Sequence, residues 1–516
     1  MARIAKKKER TTPKTKAAKH TRAPRNEVVE LTRAQKMALF YSKESKGIEN
    51  DLTLVSNTIK EPERLSTGVL VLDWISGGGK VPGLLIVAGE EASGKTTQLF
   101  HSIAQSHGVM KLPTTKMWDA EGSTSPKYAG NILSPFGLDF KTLMTEQGHD
   151  EGFYYFRNNV IERMFDYLKR TLSQMPDKNW VSQIESWAYF FPKRDDVAKR
   201  LMQALDVKAD KTLSAGGDFY VCPTDYGGPE GLFAVDSFAS LLTKAEEQKE
   251  DSDKGKRSAL EASAFSEHLK RVKVDLFDKK IIMYGTNQLG SHVRAVYGSP
   301  EDQLYEKGGN ALKFYSDERS RTFSRSPSNG AKWGPFTWDK DNSKFGIEES
   351  VEAKGTDRYA YKEAKNTKNK FGKPGLKAPY RVWVSDAHGN PRGIDPVFDV
   401  WVHLRNTGQL GKDGQSTFKF RLKPGVGKKR AAKLNALKGF KFPVFKKLII
   451  AEYTNNERLL REALSELGAD FKPGLRIALF AQMKNFEDEV YSNVKDSAKT
   501  EADEMEDAPD EDYESI

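Results

Sequence analysis

Gly83-Leu84-Leu85-Ile86-Val87-Ala88-Gly89-Glu90-Glu91-Ala92-Ser93-Gly94-Lys95-Thr96-Thr97 decides how this chain is read. Gly83–Ala88 is an unalternated apolar run, the pattern of a strand buried on both faces of a parallel sheet. Residues 89–96 fit G-x-x-x-x-G-K-T, and phosphate chemistry explains the spacing. Gly89 and Gly94 let the backbone curl, so that the N–H groups of Glu90, Glu91, Ala92 and Ser93 converge on phosphate oxygens. Lys95 can reach the β- and γ-phosphates of a nucleoside triphosphate, and the Thr96 hydroxyl can hold Mg²⁺. Thr97 continues into a helix with Leu99, Phe100, Ile103 and Ala104 facing inward, whose positive end points at the anion. ATP and Mg²⁺ are the expected cofactors.

A second carboxylate signal follows at Leu232-Phe233-Ala234-Val235-Asp236-Ser237. An Asp at the end of a buried strand beside such a loop can orient a Mg²⁺-bound water. Alone it is a common pattern; beside the phosphate loop it becomes a metal and cofactor candidate. Ile281–Tyr284 is a further buried run, and from Arg64 to Arg405 the pattern is α/β. Two stretches interrupt it, an aromatic-rich one at about 145–225 and a Gly-, Ser- and charge-rich one at about 326–360. Both read as insertions.

The 516 residues carry a net charge of +10 that is unevenly spread. Residues 1–26 hold a net +9 and residues 500–516 a net −9. Residues 1–30 are expected to be a disordered basic arm, which favours nucleic acid through counterion release, and residues 499–516 a disordered acidic tail. Within 31–63, Leu31, Ala34, Met37, Ala38 and Tyr41 are spaced as an amphipathic helix suited to packing on a neighbouring copy. Residues 406–498 form the expected C-terminal domain. Its 412–447 stretch has twelve Lys or Arg and only Asp413 as an acid. No apolar window is long enough for a membrane span, and the basic N-terminus lacks the apolar stretch of a secretory signal. Cys222 stands alone, so no intrachain disulfide can form, as fits a reducing cytoplasm.

Three further stretches resemble the RecA family. Leu65-Ser66-Thr67-Gly68 with Leu70, Leu72 and Asp73 is similar to that family's approach to the phosphate loop. Asp119-Ala120-Glu121 with Pro126 and Tyr128 is similar to its segment after the second strand. The third runs from Asn287-Gln288 through His292, Arg294, Tyr297-Gly298-Ser299-Pro300-Glu301 to Gly308-Gly309-Asn310-Ala311-Leu312-Lys313-Phe314-Tyr315. It resembles the second DNA-binding loop, about three residues longer than expected, with Gly290-Ser291 where basic residues are usual. The resemblance covers roughly 31–130 and 226–405. It implies a RecA-type core with a mainly parallel central sheet, a small N-terminal helical segment and a basic C-terminal α/β domain.

The same resemblance implies that Glu121 polarises the attacking water, Tyr128 stacks on adenine and Gln288 senses the γ-phosphate. It places a single-stranded DNA grip at His292, Arg294, Tyr297, Gly308, Gly309 and Asn310. Lys368 and Lys370 resemble a Lys-x-Lys segment that reaches the ATP of the next protomer. The first DNA loop is expected at about Glu246–Ser258. Pro424-Gly425-Val426-Gly427 resembles a turn that meets duplex phosphates. The implied function is an ATP-dependent recombinase filamenting on single-stranded DNA and testing duplex DNA, with single-strand-binding and mediator proteins as further partners. The insertions and basic arm point to a large-phage relative working in a bacterial host's cytoplasm. A hexameric helicase motor and a non-catalytic DNA-coating mediator are the competing readings.

Overall fold

The computed structural model describes residues 64–175, 229–247, 257–291, 304–324, 358–385, 392–413, 417–422, 428–454 and 456–471, with short pieces between them such as 178–180, 187–191 and 220–224. The basic arm, the 31–63 segment, His292, Arg294, Tyr297, nearly all of 326–360, Pro424–Gly427 and the acidic tail lie outside the described residues.

The central sheet is built from β1 (Gly83–Gly89), β2 (Thr114–Asp119), β3 (Phe153–Arg157), β4 (Gly231–Asp236), β5 (Ile281–Ser291), β6 (Leu304–Glu306), β7 (Glu318–Ser324), β8 (Arg358–Asn369), β9 (Lys377–Ser385) and β10 (Gly393–Ile394). Their order is β10-β9-β8-β7-β1-β5-β4-β2-β3, with β6 paired to β5 off this path. From β7 to β3 every pair is parallel; β8, β9 and β10 add an antiparallel wing. Mainly parallel order in the centre is what the unalternated apolar runs require, because both faces must be covered.

β1 shows how the two faces are filled. Leu84 and Ile86 enter one apolar cluster with Phe165, Phe233, Phe265, Leu269 and Leu312. Its helices are α4 (Ile161–Ser173), α5 (Arg257–Asp278) and α6 (Gly309–Tyr315) once α1 (Leu70–Ile75), α2 (Lys95–Ile103) and α3 (Pro126–Leu133) are counted first in chain order. Leu85 and Val87 enter the opposite cluster with Leu99, Phe100, Ile103, Ala129 and Phe140, so α2 and α3 cover that face. The period of two along a strand thus sorts alternate residues into two layers.

A third apolar cluster joins the antiparallel wing to the C-terminal residues. Trp401, on α7 (Pro396–Asn406), packs its ring edge-on against Phe418, Phe442 and Phe445. On the same helix Asp399 accepts hydrogen bonds from the Leu70 and Val71 amides at 2.8 and 3.0 Å. It supplies acceptors to the otherwise unpaired first N–H groups of α1, whose own Val69 cap offers no side-chain acceptor.

The resembling stretch before the phosphate loop is organised around Asp73. Thr67 donates to Asp73 Oδ1 from its amide at 2.7 Å and its hydroxyl at 2.6 Å, and Ser66 Oγ donates to Oδ2 at 2.5 Å. Burial pushes the Asp73 carboxyl up to about 6, against the lowering effect of these donors and of Lys80. A folded-state pKa raised above 3.8 favours the protonated form, so its stabilising contribution is complete below pH 3.8 and lost as pH rises through 6. Asp73→Asn, which cannot ionise, should therefore gain stability relative to wild type by roughly 3 kcal/mol between pH 4 and pH 7. Denaturant unfolding of both proteins across that range checks it; a pH-independent difference would remove the proton from the account.

Candidate nucleotide site

At the C-terminal end of β1 the chain turns through Gly89–Gly94 into α2. Such strand ends are where α/β sheets bind ligands. Ala92 and Gly94 take positive φ of 55° and 88°. Gly89 is required for a different reason: a Cβ there would lie 2.3 Å from Ser93 Oγ and 2.5 Å from Thr322 Oγ1. The loop is also held from outside. Thr322 Oγ1 donates to Ser93 Oγ at 3.1 Å, Tyr380 OH to the Ser93 carbonyl at 3.1 Å, and Lys362 Nζ to the Ala92 carbonyl at 2.8 Å.

Lys95 Nζ donates to the Gly89 and Glu90 carbonyls at 3.0 and 2.6 Å, so its ammonium hangs over the loop. Burial lowers its pKa, and Asp236, Glu121, Glu91 and Glu90 oppose that shift. Thr96 Oγ1 donates to Asp236 Oδ2 at 3.0 Å, while Thr286 Oγ1 donates to Oδ1. Burial pushes the Asp236 carboxyl up to about 6, with Glu121 and Asp119 adding to the rise and the two threonines opposing it.

The cross-strand register brings the acids together. Asp119 ends β2 opposite Asp236 at the end of β4. Asp119 accepts from the Gly122 amide at 2.7 Å, from the Thr124 amide at 3.3 Å and from Tyr155 OH at 2.7 Å, and so shapes the turn that carries Glu121. Glu121 Oε1 accepts from Ser237 Oγ at 2.7 Å. The Ala120 and Glu121 amides both donate to the Asp236 carbonyl, at 2.7 and 3.1 Å. Tyr128 meets the same site from α3: its hydroxyl shares a short hydrogen bond with Thr97 Oγ1 and its ring stands edge-on to Phe100.

Gln288 is level with Gly89 across the β1–β5 pair. Beyond it β5 continues and pairs with β6 as Leu289↔Glu306, Gly290↔Tyr305 and Ser291↔Leu304, so the stretch resembling a DNA loop leaves on a hairpin stem. Tyr305 lies against Gly290 across this stem: a Cβ there would fall within 2.9 Å of its Cζ, Cε1 and hydroxyl oxygen, so the exposed ring would have to move aside. Gly308 and Gly309 have φ of +86° and +70° and turn the stem into α6; a Cβ on Gly309 would meet Ala262 of α5 at 2.7 Å. Asn310 is exposed and lines a groove of about 670 Å³ with Ala262, Ser263, Ser266 and Phe314. Of the expected first DNA loop, Glu246 and Glu247 sit in a short helix and Arg257 opens α5; 248–256 lie outside the described residues.

Lys368 and Lys370 do not meet their own chain's phosphate loop. Lys368 pairs with Arg319, and Arg319 with Ile86, three residues before Gly89. Lys368 Nζ donates to the Lys313 and Phe314 carbonyls at 2.9 and 3.1 Å, and Lys370 Nζ bonds Asp317 Oδ1 at 3.1 Å. Burial lowers Lys368 to about 8, with Lys370 and Arg319 adding to the fall. The lysine of this strand that does touch the loop is Lys362.

Among the described residues no cluster of three or more His, Cys, Asp or Glu could hold a metal by itself. The Thr96 hydroxyl beside the Asp236 carboxylate nevertheless suits Mg²⁺, which takes few protein oxygens and completes its shell with water and phosphate. No helix among the described residues is long and apolar enough to cross a membrane.

A parallel sheet with this loop, the paired carboxylates at its strand ends and an antiparallel wing defines a P-loop nucleotide-binding protein with a RecA-type core. The RecA N-terminal domain family matches residues 227–326, from before β4 to beyond β7. Protein RecA of Acinetobacter baumannii is 27% identical over 290 residues, 56% of this chain and 62% of that protein. Protein RecA of Nostoc sp. is 28% identical over 259 residues, 50% of this chain and 52% of its own length. The chain thus spans between half and two thirds of these relatives. Fold, site geometry and these similarities all point the same way, to a likeness with the RecA family.

The steric account of Gly89 gives a direct test. Gly89→Ala should weaken ATP binding at least about tenfold, because Ser93 and Thr322 must give way and the loop with them. Titration with a fluorescent ATP analogue checks this, and near-normal affinity would show that the loop is not held as described.

Proposed function

We propose that this protein is an ATP-driven DNA recombinase that assembles as a helical filament on single-stranded DNA and pairs it with a homologous duplex. The observation that carries the reading is the single strand β5. It brings Gln288 level with Gly89 of the phosphate loop and then runs into the stem of the hairpin that resembles a DNA-binding loop. Nucleotide state and DNA grip therefore share one piece of backbone.

In this reading the loop amides and Lys95 bind the triphosphate, and Tyr128 offers its ring to the adenine. Thr96 and Asp236 would hold Mg²⁺, which would supply positive charge against the triphosphate. Glu121 orients the attacking water and accepts its proton at Oε1 or Oε2, while Ser237 fixes the carboxylate. Gln288 meets the γ-phosphate. Lys368 and Lys370, remote from their own loop, reach the nucleotide of the neighbouring protomer. The hairpin tip with His292, Arg294 and Tyr297 grips single-stranded DNA, and the basic C-terminal residues take duplex DNA.

Glu121→Gln tests the chemistry. DNA-stimulated ATP turnover should fall by about 10² or more, the usual worth of a positioned base, while single-stranded DNA binding persists. Unchanged turnover would sink the assignment of Glu121. Negative-stain images with single-stranded DNA and a non-hydrolysable ATP analogue should show helical filaments; closed rings would instead favour a hexameric helicase.

A further inference from the structure

The three residues before Gly308 close the hairpin that leaves β5, and each is tied down separately. Tyr305 lies over Gly290 across the stem. Glu306 is ion-paired to Arg319 and to Arg321 on β7, with only 7% of its side chain exposed. Lys307 is fastened to the end of β5 by three bonds. Its amide donates to the Gln288 carbonyl at 3.2 Å, its carbonyl accepts from Asn287 Nδ2 at 2.8 Å, and its Nζ donates to Gln288 Oε1 at 2.7 Å.

The last of these bonds has a chemical direction. An ammonium has donors and no acceptor, so the Gln288 amide must turn its oxygen toward Lys307. The amide's NH₂ group is then left to donate elsewhere, which is the orientation a phosphate oxygen needs. Free of such a partner, an amide can present either end to an anion, and one of the two is repelled. A charged donor also makes a stronger bond than a neutral one.

We propose that Lys307 is a positioning residue of the nucleotide site, holding the Gln288 amide with its NH₂ group ready for the γ-phosphate only while the hairpin stem is formed. The inference rests on the proposed role of Gln288 toward that phosphate. Because Lys307 closes the stem and Gln288 lies on the strand beside the phosphate loop, DNA held by the hairpin and nucleotide held by the loop act on the same amide. Lys307 touches no substrate atom in this scheme and acts through Gln288 alone.

The test uses the full chain with single-stranded DNA, ATP and three variants: Lys307→Met, Lys307→Arg and Gln288→Ala. Lys307→Met keeps a long stem but loses the donor, so kcat of the DNA-stimulated ATPase should fall about tenfold. KM for ATP should stay within about twofold, since ground-state binding is made by the loop. The preference of DNA binding for a non-hydrolysable ATP analogue over ADP should shrink in the same proportion. Lys307→Arg, which retains charged donors, should restore both properties. A Lys307→Met protein with wild-type kcat and nucleotide preference would overturn the proposal, as would a Lys307→Arg protein as impaired as Lys307→Met, since shape rather than donation would then matter. If Gln288→Ala itself retains both properties, the proposed role of Gln288 falls; if it loses them and Lys307→Met does not, only the role of Lys307 falls.

Discussion

The alignment of β1 between β5 and β7 is the constraint on which the site depends. Gly89 is level with Gln288 on one side and Thr322 on the other, with no room for a single carbon at its own Cα. Parallel pairing brings the ends of β1, β2, β4 and β5 to one rim of the sheet, and the ends are where Lys95, Glu121, Asp236 and Gln288 emerge. A slip of one residue in any of these pairs would send the side chains of that strand to the opposite face. The two apolar layers forbid such a slip, because Leu84 and Ile86 belong to one and Leu85 and Val87 to the other. The packing of the core and the geometry of the chemistry are therefore a single requirement.

Electrostatically the rim is a balance of opposites. Asp119, Glu121 and Asp236 gather around one point, and burial together with their mutual repulsion pushes Asp236 up. Hydroxyls of Thr96, Thr286 and Ser237 donate to Asp236 and Glu121, and two backbone amides with the Tyr155 hydroxyl donate to Asp119. Asp236 and Glu121 also oppose the burial that lowers the Lys95 ammonium pKa. A rim so arranged favours a cation beside Asp236 and an anion over the loop, which is the charge pattern of a metal-bound triphosphate.

The readable part of this molecule was the part written in consecutive residues. The phosphate loop, the apolar runs of β1, β4 and β5 and the Asp at the end of β4 each carry their signal in a short window. So do the Glu121 turn and the Gly308-Gly309 junction. Lys362, Thr322 and Tyr380 were not legible, since each reaches the loop from more than 200 positions away, Thr322 from β7 and the other two from the antiparallel wing. Thr286 looked like one more residue of a buried strand until its hydroxyl met Asp236. Gly290 had read as the loss of a basic residue from the resembling loop; its contact with the Tyr305 ring across the stem is one that no linear pattern contains. Lys307 was hidden in the same way, since its bonds to Asn287 and Gln288 cross the stem.

The aromatic-rich stretch expected as an insertion from about 145 to 225 is core as far as α4, because β3 pairs with β2 and α4 fills the apolar layer on the sheet. The added part lies between α4 and β4 and includes a small three-stranded antiparallel sheet formed by 178–180, 187–191 and 220–224. It enters after α4 has already crossed the sheet, and β4 resumes opposite β2 with Asp236 facing Asp119. Val160, just before α4, and Leu242, just after β4, still pair as a bridge, so the connection is pinned on both sides of the added length. Growth at such a point is mechanically silent toward the rim. Residues added between α4 and β4 need not move either end of the Val160–Leu242 bridge that pins the connection.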